Sequence, residues 1–245
     1  MPFIQAETRA GKALIVEQYQ APRLNIKGVE RVCWSENQMT EAHESANARR
    51  EARELIIKIN ANFGEGDYHL VLDYTLDDRP KTLDEAKEDR KAFMRRLRYL
   101  YQKMGVPLKY IIITEWGKRG DGLHHHLILN RGIDDDRIRK LWTKGRVHFN
   151  LLDDLGDYSK LAEYLLKRRK AWKEKGGHGR QWTCSRNLKR PPTKKRIIKM
   201  DVYHTRPKPR KGYMLLESTV AEGFTKDGYP YRRCVFVRVS RGNDP

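Results

Sequence analysis

The sequence predicts an α+β fold built on an antiparallel sheet, and three observations carry that prediction. Between residues 67 and 151 the hydrophobic periodicity changes in the order strand, helix, strand, strand, helix, strand. The two middle strands are separated only by residues 117–122, GKRGDG, which favours an antiparallel hairpin. The helix between the first two strands carries its own start and stop signals. Together these define a split β-α-β, ferredoxin-like arrangement, an antiparallel sheet with helices on one face.

Taken in order, residues 1–38 are mixed, with enough alternation in VERVCWS (29–35) to suggest a strand. From Thr40 to Asn62 the chain is rich in Ala, Glu and Arg, without Gly or Pro, and reads as a helix stopped by Gly64 and Gly66. DYHLVLDYT (67–75) is rich in β-branched, aromatic and apolar residues and reads as a strand, followed by a DDRP turn. Thr82-x-x-Glu85 forms a capping box, and Ala86, Phe93, Leu97, Leu100 and Met104 recur at helical spacing before Gly105. LKYIIITEW (108–116) and LHHHLILN (123–130) are the hairpin strands. A helix over 134–142 ends at Gly145, RVHFNLL (146–152) is a strand, and Asp157 caps a third helix, YSKLAEYLLKRRKAW (158–172). Beyond it lie a Gly-rich charged loop, a densely basic stretch NLKRPPTKKR, and an alternating tail over 212–239 that suggests a hairpin around KDGYPY. The expected organisation is an N-terminal extension with a long helix (1–66), a core (67–172), and a basic loop with a C-terminal β extension (173–245).

The charge narrows the function. Lys and Arg number 51 against 32 Asp and Glu, a formal net charge of +19, and such a surplus favours a polyanion as partner. Nucleic acid is favoured over a membrane, because no apolar run approaches the roughly 20 residues that span a bilayer. The N-terminal residues MPFIQAETRAGK lack the apolar stretch of a signal peptide. Cys33, Cys184 and Cys234 are far apart and form no CxxC pair, so they read as packing residues in a reducing compartment.

The chemistry sits in LHHHLIL. On a strand, residues two apart share a face, so His124 and His126 project side by side while His125 points away. If Trp116 pairs with Leu123, Glu115 lies directly opposite His124, within reach of both imidazoles. A one-residue slip would put Glu115 on the wrong face. Two imidazoles and one carboxylate leave open positions on an ion. That ligand set suits Mg²⁺ or Mn²⁺ acting on a phosphate, and also accommodates Zn²⁺. A pair of histidines on a strand is, by itself, commonly plain surface or core chemistry. The buried-looking flanks, the carboxylate on the adjacent strand and the basic chain tip the reading toward a metal centre.

Phosphodiester chemistry needs a nucleophile, and the third helix offers two tyrosines. Tyr158 aligns with Leu161 and Leu165, an apolar stripe suited to packing on the sheet. Tyr164 aligns with Lys160 and Lys167. A cation and a polarised phosphate would help a phenol that ionises near 10. Tyr164 with Lys167 is therefore the candidate catalytic pair, and Tyr158 the backup nucleophile.

These residues resemble the HUH endonucleases, specifically the rolling-circle replication initiators of small plasmids and phages, over about residues 40–195. VLDYT (71–75) resembles the family's first motif, with Asp73 where Thr is usual. LHHHLIL resembles the His-hydrophobic-His motif, with His125 in the place of a bulky apolar residue and Glu115 as the extra acidic ligand. YLLK (164–167) resembles the Tyr-x-x-Lys motif, and WTCSRNLKRP (182–191) a segment of the phage-type subgroup. The resemblance implies a nickase and strand transferase. Its tyrosine attacks one phosphate of single-stranded or hairpin origin DNA, forms a 5′-phosphotyrosine link and frees a 3′-hydroxyl. It implies work beside a host helicase and DNA polymerase in the cytoplasm of a bacterial host, and no P-loop is present for unwinding.

Among the basic segments, Lys189 to Arg196 is the best DNA candidate. Arg186, Lys189, Arg190, Lys194 and Lys195 are the expected phosphate contacts, and Trp142, Trp172 and Trp182 are candidates for base stacking. Two other readings compete. A non-catalytic nucleic-acid-binding module predicts exposed sheet aromatics, which the sequence lacks, and leaves the His-Glu set unexplained. Relaxases place their tyrosine before the histidines, and single-tyrosine transposases are typically shorter.

Overall fold

The computed structural model describes residues 3–20, 41–117, 122–199, 206–224 and 229–239. The first part of the chain forms β1 (Phe3–Ala10), β2 (Ala13–Gln20), α1 (Glu41–Asn62), β3 (Tyr68–Leu72), α2 (Leu83–Lys103), β4 (Tyr110–Trp116), β5 (Leu123–Leu129), α3 (Asp135–Arg139) and β6 (Val147–Leu151). The remainder forms α4 (Ser159–Leu166), α5 (Arg169–Glu174), β7 (Trp182–Cys184), β8 (Thr193–Ile198), β9 (Tyr213–Leu215), a 3₁₀ turn, β10 (Ala221–Phe224) and β11 (Pro230–Arg238). The chain parts into two compact units, residues 51–189 and residues 1–50 with 190–245, where the sequence suggested boundaries at 66 and 172.

In the 51–189 unit the sheet order is β6-β3-β5-β4-β7, with every neighbouring pair antiparallel. β3 and β4, joined by α2, therefore run parallel with β5 between them. β5 and β6, joined by α3, do the same around β3. One face of this sheet is a hydrophobic core: Tyr68, Leu70, Leu72, Ile112, Leu127 and Leu129 pack with Phe93, Met94, Leu97 and Tyr101 of α2 and with Ile138 and Trp142. Helix α2 forms as its signals require. Thr82 sits in extended backbone, its Oγ1 accepts from the Glu85 N–H, and Gly105 takes φ 67° just past the end. Of the expected apolar positions Ala86, Phe93 and Leu97 are fully buried, Leu100 is half-buried, and Met104 is exposed just past the helix end.

The other unit contains a second antiparallel sheet of order β10-β11-β2-β1-β8, with β9 also paired to β11. Most of it was not expected. The N-terminal hairpin turns at Gly11, φ 61°, between Ala10 and Ala13. The basic stretch expected as a loop contains strand β8, paired with β1 at the sheet edge. Its side chains over 194–197 are exposed, and lysines on an edge strand block further strand addition. The expected C-terminal hairpin is present as β10 and β11. The expected strand at 29–35, Cys33, and most of the 117–122 turn lie outside the described residues.

Two further expectations are corrected. The third helix does not run unbroken to 172; it ends at Leu166 and resumes at Arg169. The break coincides with tertiary partners that helix propensity does not register: Arg168 donates to the Gly117 carbonyl at 2.7 Å, and Arg169 pairs with the buried Glu51 carboxylate at 2.5 Å. Trp142, Trp172 and Trp182, considered for base stacking, are 5%, 7% and 1% exposed, and so are core residues. Trp142 packs edge-on against Phe93 and donates its indole N–H to the Asp73 carbonyl.

Candidate metal centre

The register that the site requires is the register found. Trp116 pairs with Leu123, Glu115 with His124 and Ile113 with His126. Glu115, His124 and His126 thus project from the sheet face opposite α2. Both imidazoles converge on one carboxylate oxygen: Glu115 Oε1 lies 2.9 Å from His124 Nε2 and 3.1 Å from His126 Nε2. The three form a cluster able to hold a metal ion, all ligand atoms lying within 4.8 Å of one another. Adjacent ligands of an octahedral ion with bonds of about 2.1 Å are about 3.0 Å apart, so the two N···O separations suit such an ion.

Electrostatics agree with the geometry. Glu115 and His126 are 4% and 2% exposed. Burial alone would raise the Glu115 carboxyl, but the hydrogen bonds from His124 and His126 outweigh it and hold the group at about 2. Glu115 is therefore an anion at working pH. Its second oxygen, Oε2, is buried with no hydrogen-bond partner among the described residues. Leaving such an oxygen unmet is costly, and a cation is one partner that would satisfy it.

The structure adds residues that the sequence did not single out. His69 of β3 stacks on His126, ring centroids 5.3 Å apart, with its Nε2 3.1 Å from His126 Nδ1. Burial first, then the charge of His126, lowers the His69 imidazole to about 4. His69 pairs with Ile128 and so sits diagonally from His126, a relation visible only once the β3–β5 register is known. Asp73, just after β3, sits 3.2 Å from His148 Nε2. It lines a cavity with Tyr74, Arg79, Gly122 and His124.

His125 faces the other way. It is 0% exposed and bonded on both nitrogens, to Tyr74 Oη at 2.9 Å and Thr114 Oγ1 at 2.9 Å, while Arg90 donates to that same Thr114 oxygen. Burial holds its imidazole well below the usual range. A polar residue thus fits a fully buried position because its partners are built into β4 and the segment after β3.

The two tyrosines separate as their helical positions suggest. Tyr158 is 5% exposed and donates its hydroxyl to the Asp153 carbonyl at 2.7 Å. Burial, then nearby carboxylates led by Asp153, pushes its phenol up to about 12. Tyr164 is 54% exposed, and its ring lies 5.7 Å from the His126 ring. Lys167 follows at the C-cap of α4, exposed. Arg186, Lys189, Arg190, Lys194 and Lys195 are all exposed. Lys194 and Lys195 are consecutive on β8 and face opposite sides of its sheet.

Comparison with known proteins bears on a chain of this kind: a strand-borne His-Glu-His cluster with an exposed tyrosine beside it. Residues 68–169 match the family described as REP_ORF2-G2P, replication-associated protein ORF2/G2P. That span includes the first motif, the histidine strand and the Tyr-x-x-Lys segment, so the central part of this chain carries the sequence pattern of replication-associated proteins. No curated protein sequence matches the chain. Among solved structures, the hypothetical protein ORF119 from Sulfolobus islandicus rod-shaped virus 1 aligns at 15% identity with a TM-score of 0.33, covering 48% of this chain and 92% of that one. Among the described residues, no helix is long and apolar enough to cross a membrane.

Proposed function

We propose that this protein is a metal-dependent, site-specific single-strand DNA endonuclease and strand transferase of the HUH type, starting rolling-circle replication through a 5′-phosphotyrosine link. The observation that carries the reading is Tyr164, 54% exposed, with its ring 5.7 Å from His126 at the Glu115, His124 and His126 cluster. The β-α-β-β-α-β order and its antiparallel sheet support the ferredoxin-like core such an enzyme uses.

In this reading the Tyr164 phenol oxygen attacks the phosphorus and loses its proton. The P–O3′ bond breaks, the departing 3′-oxygen takes up a proton, and the resulting 3′-hydroxyl serves as primer. One phosphoester replaces another, so no nucleotide cofactor is consumed. A later 3′-hydroxyl attacks the phosphotyrosine, rejoins the strand and returns the tyrosine. Lys167, three residues on and on the same helical face, holds a phosphate oxygen. Glu115, His124 and His126 would hold Mg²⁺ or Mn²⁺, which supplies polarisation of the phosphate. Tyr158 is unsuited to the attack because its hydroxyl is committed to a backbone carbonyl.

Arg186, Lys189, Arg190, Lys194 and Lys195 are assigned to phosphate contacts along single-stranded or hairpin origin DNA, with affinity falling steeply in salt. A host helicase and polymerase would act on the products, in the cytoplasm of a bacterial host of a plasmid or phage. The test is a denaturing gel of labelled single-stranded origin DNA incubated with protein and Mn²⁺. A detergent-resistant protein–DNA band is expected, lost with EDTA and in Tyr164→Phe, and retained in Tyr158→Phe. Binding without any such band, across origins and metals, contradicts the reading.

A further inference from the structure

The helix that carries Tyr164 is too short to hold a position by itself. α4 has 8 residues, and isolated helices below about 12–15 residues are marginal in water. Burial of Ala162, Leu165 and Leu166 holds one face of it down, but apolar burial is non-directional and does not fix its register. Its N-cap residue is Tyr158, whose hydroxyl is spent on the Asp153 carbonyl. The polar groups that fix its start come from α1 instead. Asn60, 3% exposed, accepts the Tyr158 N–H on Oδ1 at 2.8 Å and donates from Nδ2 to Asp157 Oδ1 at 3.1 Å. The same Asp157 oxygen accepts from the Ser159 N–H at 3.2 Å and from the Ser159 hydroxyl at 2.7 Å. A backbone N–H only donates and an ionised carboxylate only accepts, so one orientation of the Asn60 amide serves both partners.

Just past its end, α4 is tied again. Arg168 donates to the Gly117 carbonyl at 2.7 Å, at the end of the strand that carries Glu115. Arg169 pairs with Glu51, also of α1 and 7% exposed, whose other oxygen accepts the Gln181 N–H at 2.8 Å. We infer that Asn60 and Arg168 are positioning residues for Tyr164, resting on the reading of Tyr164 as the nucleophile. Asn60 sets where α4 begins, and Arg168 fixes its far end against the hairpin that bears Glu115, His124 and His126. The edge-on contact of the Tyr164 and His126 rings, 5.7 Å between centroids and 82° between planes, is the product of these ties. Attack on phosphorus tolerates little error, since a misplacement of about 1 Å costs about 100-fold in rate. Glu51 belongs to the same frame. Removing one partner of a buried ion pair strands the other charge, however, so its loss reports on folding as much as on position.

Two measurements test this on the full chain. Without metal or DNA, a nuclear Overhauser cross-peak is expected between the ring protons of Tyr164 and those of His126. It should weaken or vanish in Asn60→Ala and in Arg168→Ala, whereas a change that only lowers stability leaves it intact in the folded protein. With Mn²⁺ and saturating labelled single-stranded origin DNA, both variants should form the covalent adduct about 10–100-fold more slowly. The DNA dissociation constant of Asn60→Ala should match that of the unsubstituted protein, which places the loss in the chemical step. A folded variant that keeps the parent's cross-peak and adduct rate overturns the assignment of its residue, while the nuclease reading stands. Should Asn60→Ala fail to fold, Arg168→Ala decides alone. If the cross-peak weakens in the variants yet the parent forms no adduct, the nuclease reading fails and the ties stand.

Discussion

The two faces of the β4–β5 hairpin use the same residue types to opposite ends. On the α2 side, His125 is bonded on both nitrogens, fully buried, and edge-on to Trp142. On the other side, His124 and His126 share one oxygen of Glu115, and the second oxygen has no hydrogen-bond partner among the described residues. Three consecutive histidines thus divide into one that completes a hydrogen-bond network and two that leave one open. Burial alone does not separate them, since His125 and His126 are both buried. What separates them is whether the polar atoms around them are satisfied.

The comparison can be broken most decisively at Glu115. Glu115→Ala removes the oxygen on which both histidines converge. Mn²⁺ affinity should fall by about 100-fold or more, and DNA nicking by about 1,000-fold. Ordinary nicking by a folded Glu115→Ala would show that the open face is not the metal centre. On the closed face, His125→Leu leaves the Tyr74 and Thr114 hydroxyls short of a partner. It should lower stability by about 1–3 kcal/mol in urea unfolding, with Mn²⁺ affinity of the folded protein unchanged. Equal losses of metal binding in the two variants would erase the distinction between the faces.

Acid sharpens it further. His69, lowered to about 4, and His125, lowered well below its usual value, bind protons less readily folded than unfolded. Their contribution to stability is complete above the unfolded value of about 6.5 and is lost as pH falls from there toward 4. Urea midpoints should therefore decline between pH 7 and 4.5, in the range where ordinary carboxylates have yet to titrate fully. His125→Leu should flatten part of that decline, and a curve identical to the parent's would contradict it. The smallest effect belongs to Tyr158→Phe: about 1 kcal/mol of stability, from the lost bond to Asp153, with nicking intact.

The Glu115, His124 and His126 cluster was legible in the sequence because its geometry is local. A short turn fixes the hairpin register, the two-residue period of a strand fixes the face, and Glu115 follows. Helix α2 was legible for the same reason, its caps and stripe lying within its own residues. Features that depend on distant partners were not. Strand β8 reads as a basic loop because its lysines face solvent at a sheet edge and its pairing partner, β1, lies at the other end of the chain. The break after Leu166 coincides with Arg168 and Arg169 reaching Gly117 and Glu51, and the place of His69 depends on the β3–β5 register. The tryptophans misled because an indole suits both a core and a base stack, and only burial decides between them.

The two tyrosines lie in different tryptic peptides, residues 147–160 and 161–167. Mass spectrometry of the trypsin-digested protein–DNA adduct formed with Mn²⁺ therefore reports the nucleophile directly. The account predicts nucleotide mass on the 161–167 peptide, localised to Tyr164. Nucleotide on the 147–160 peptide, or on no tyrosine, would contradict it.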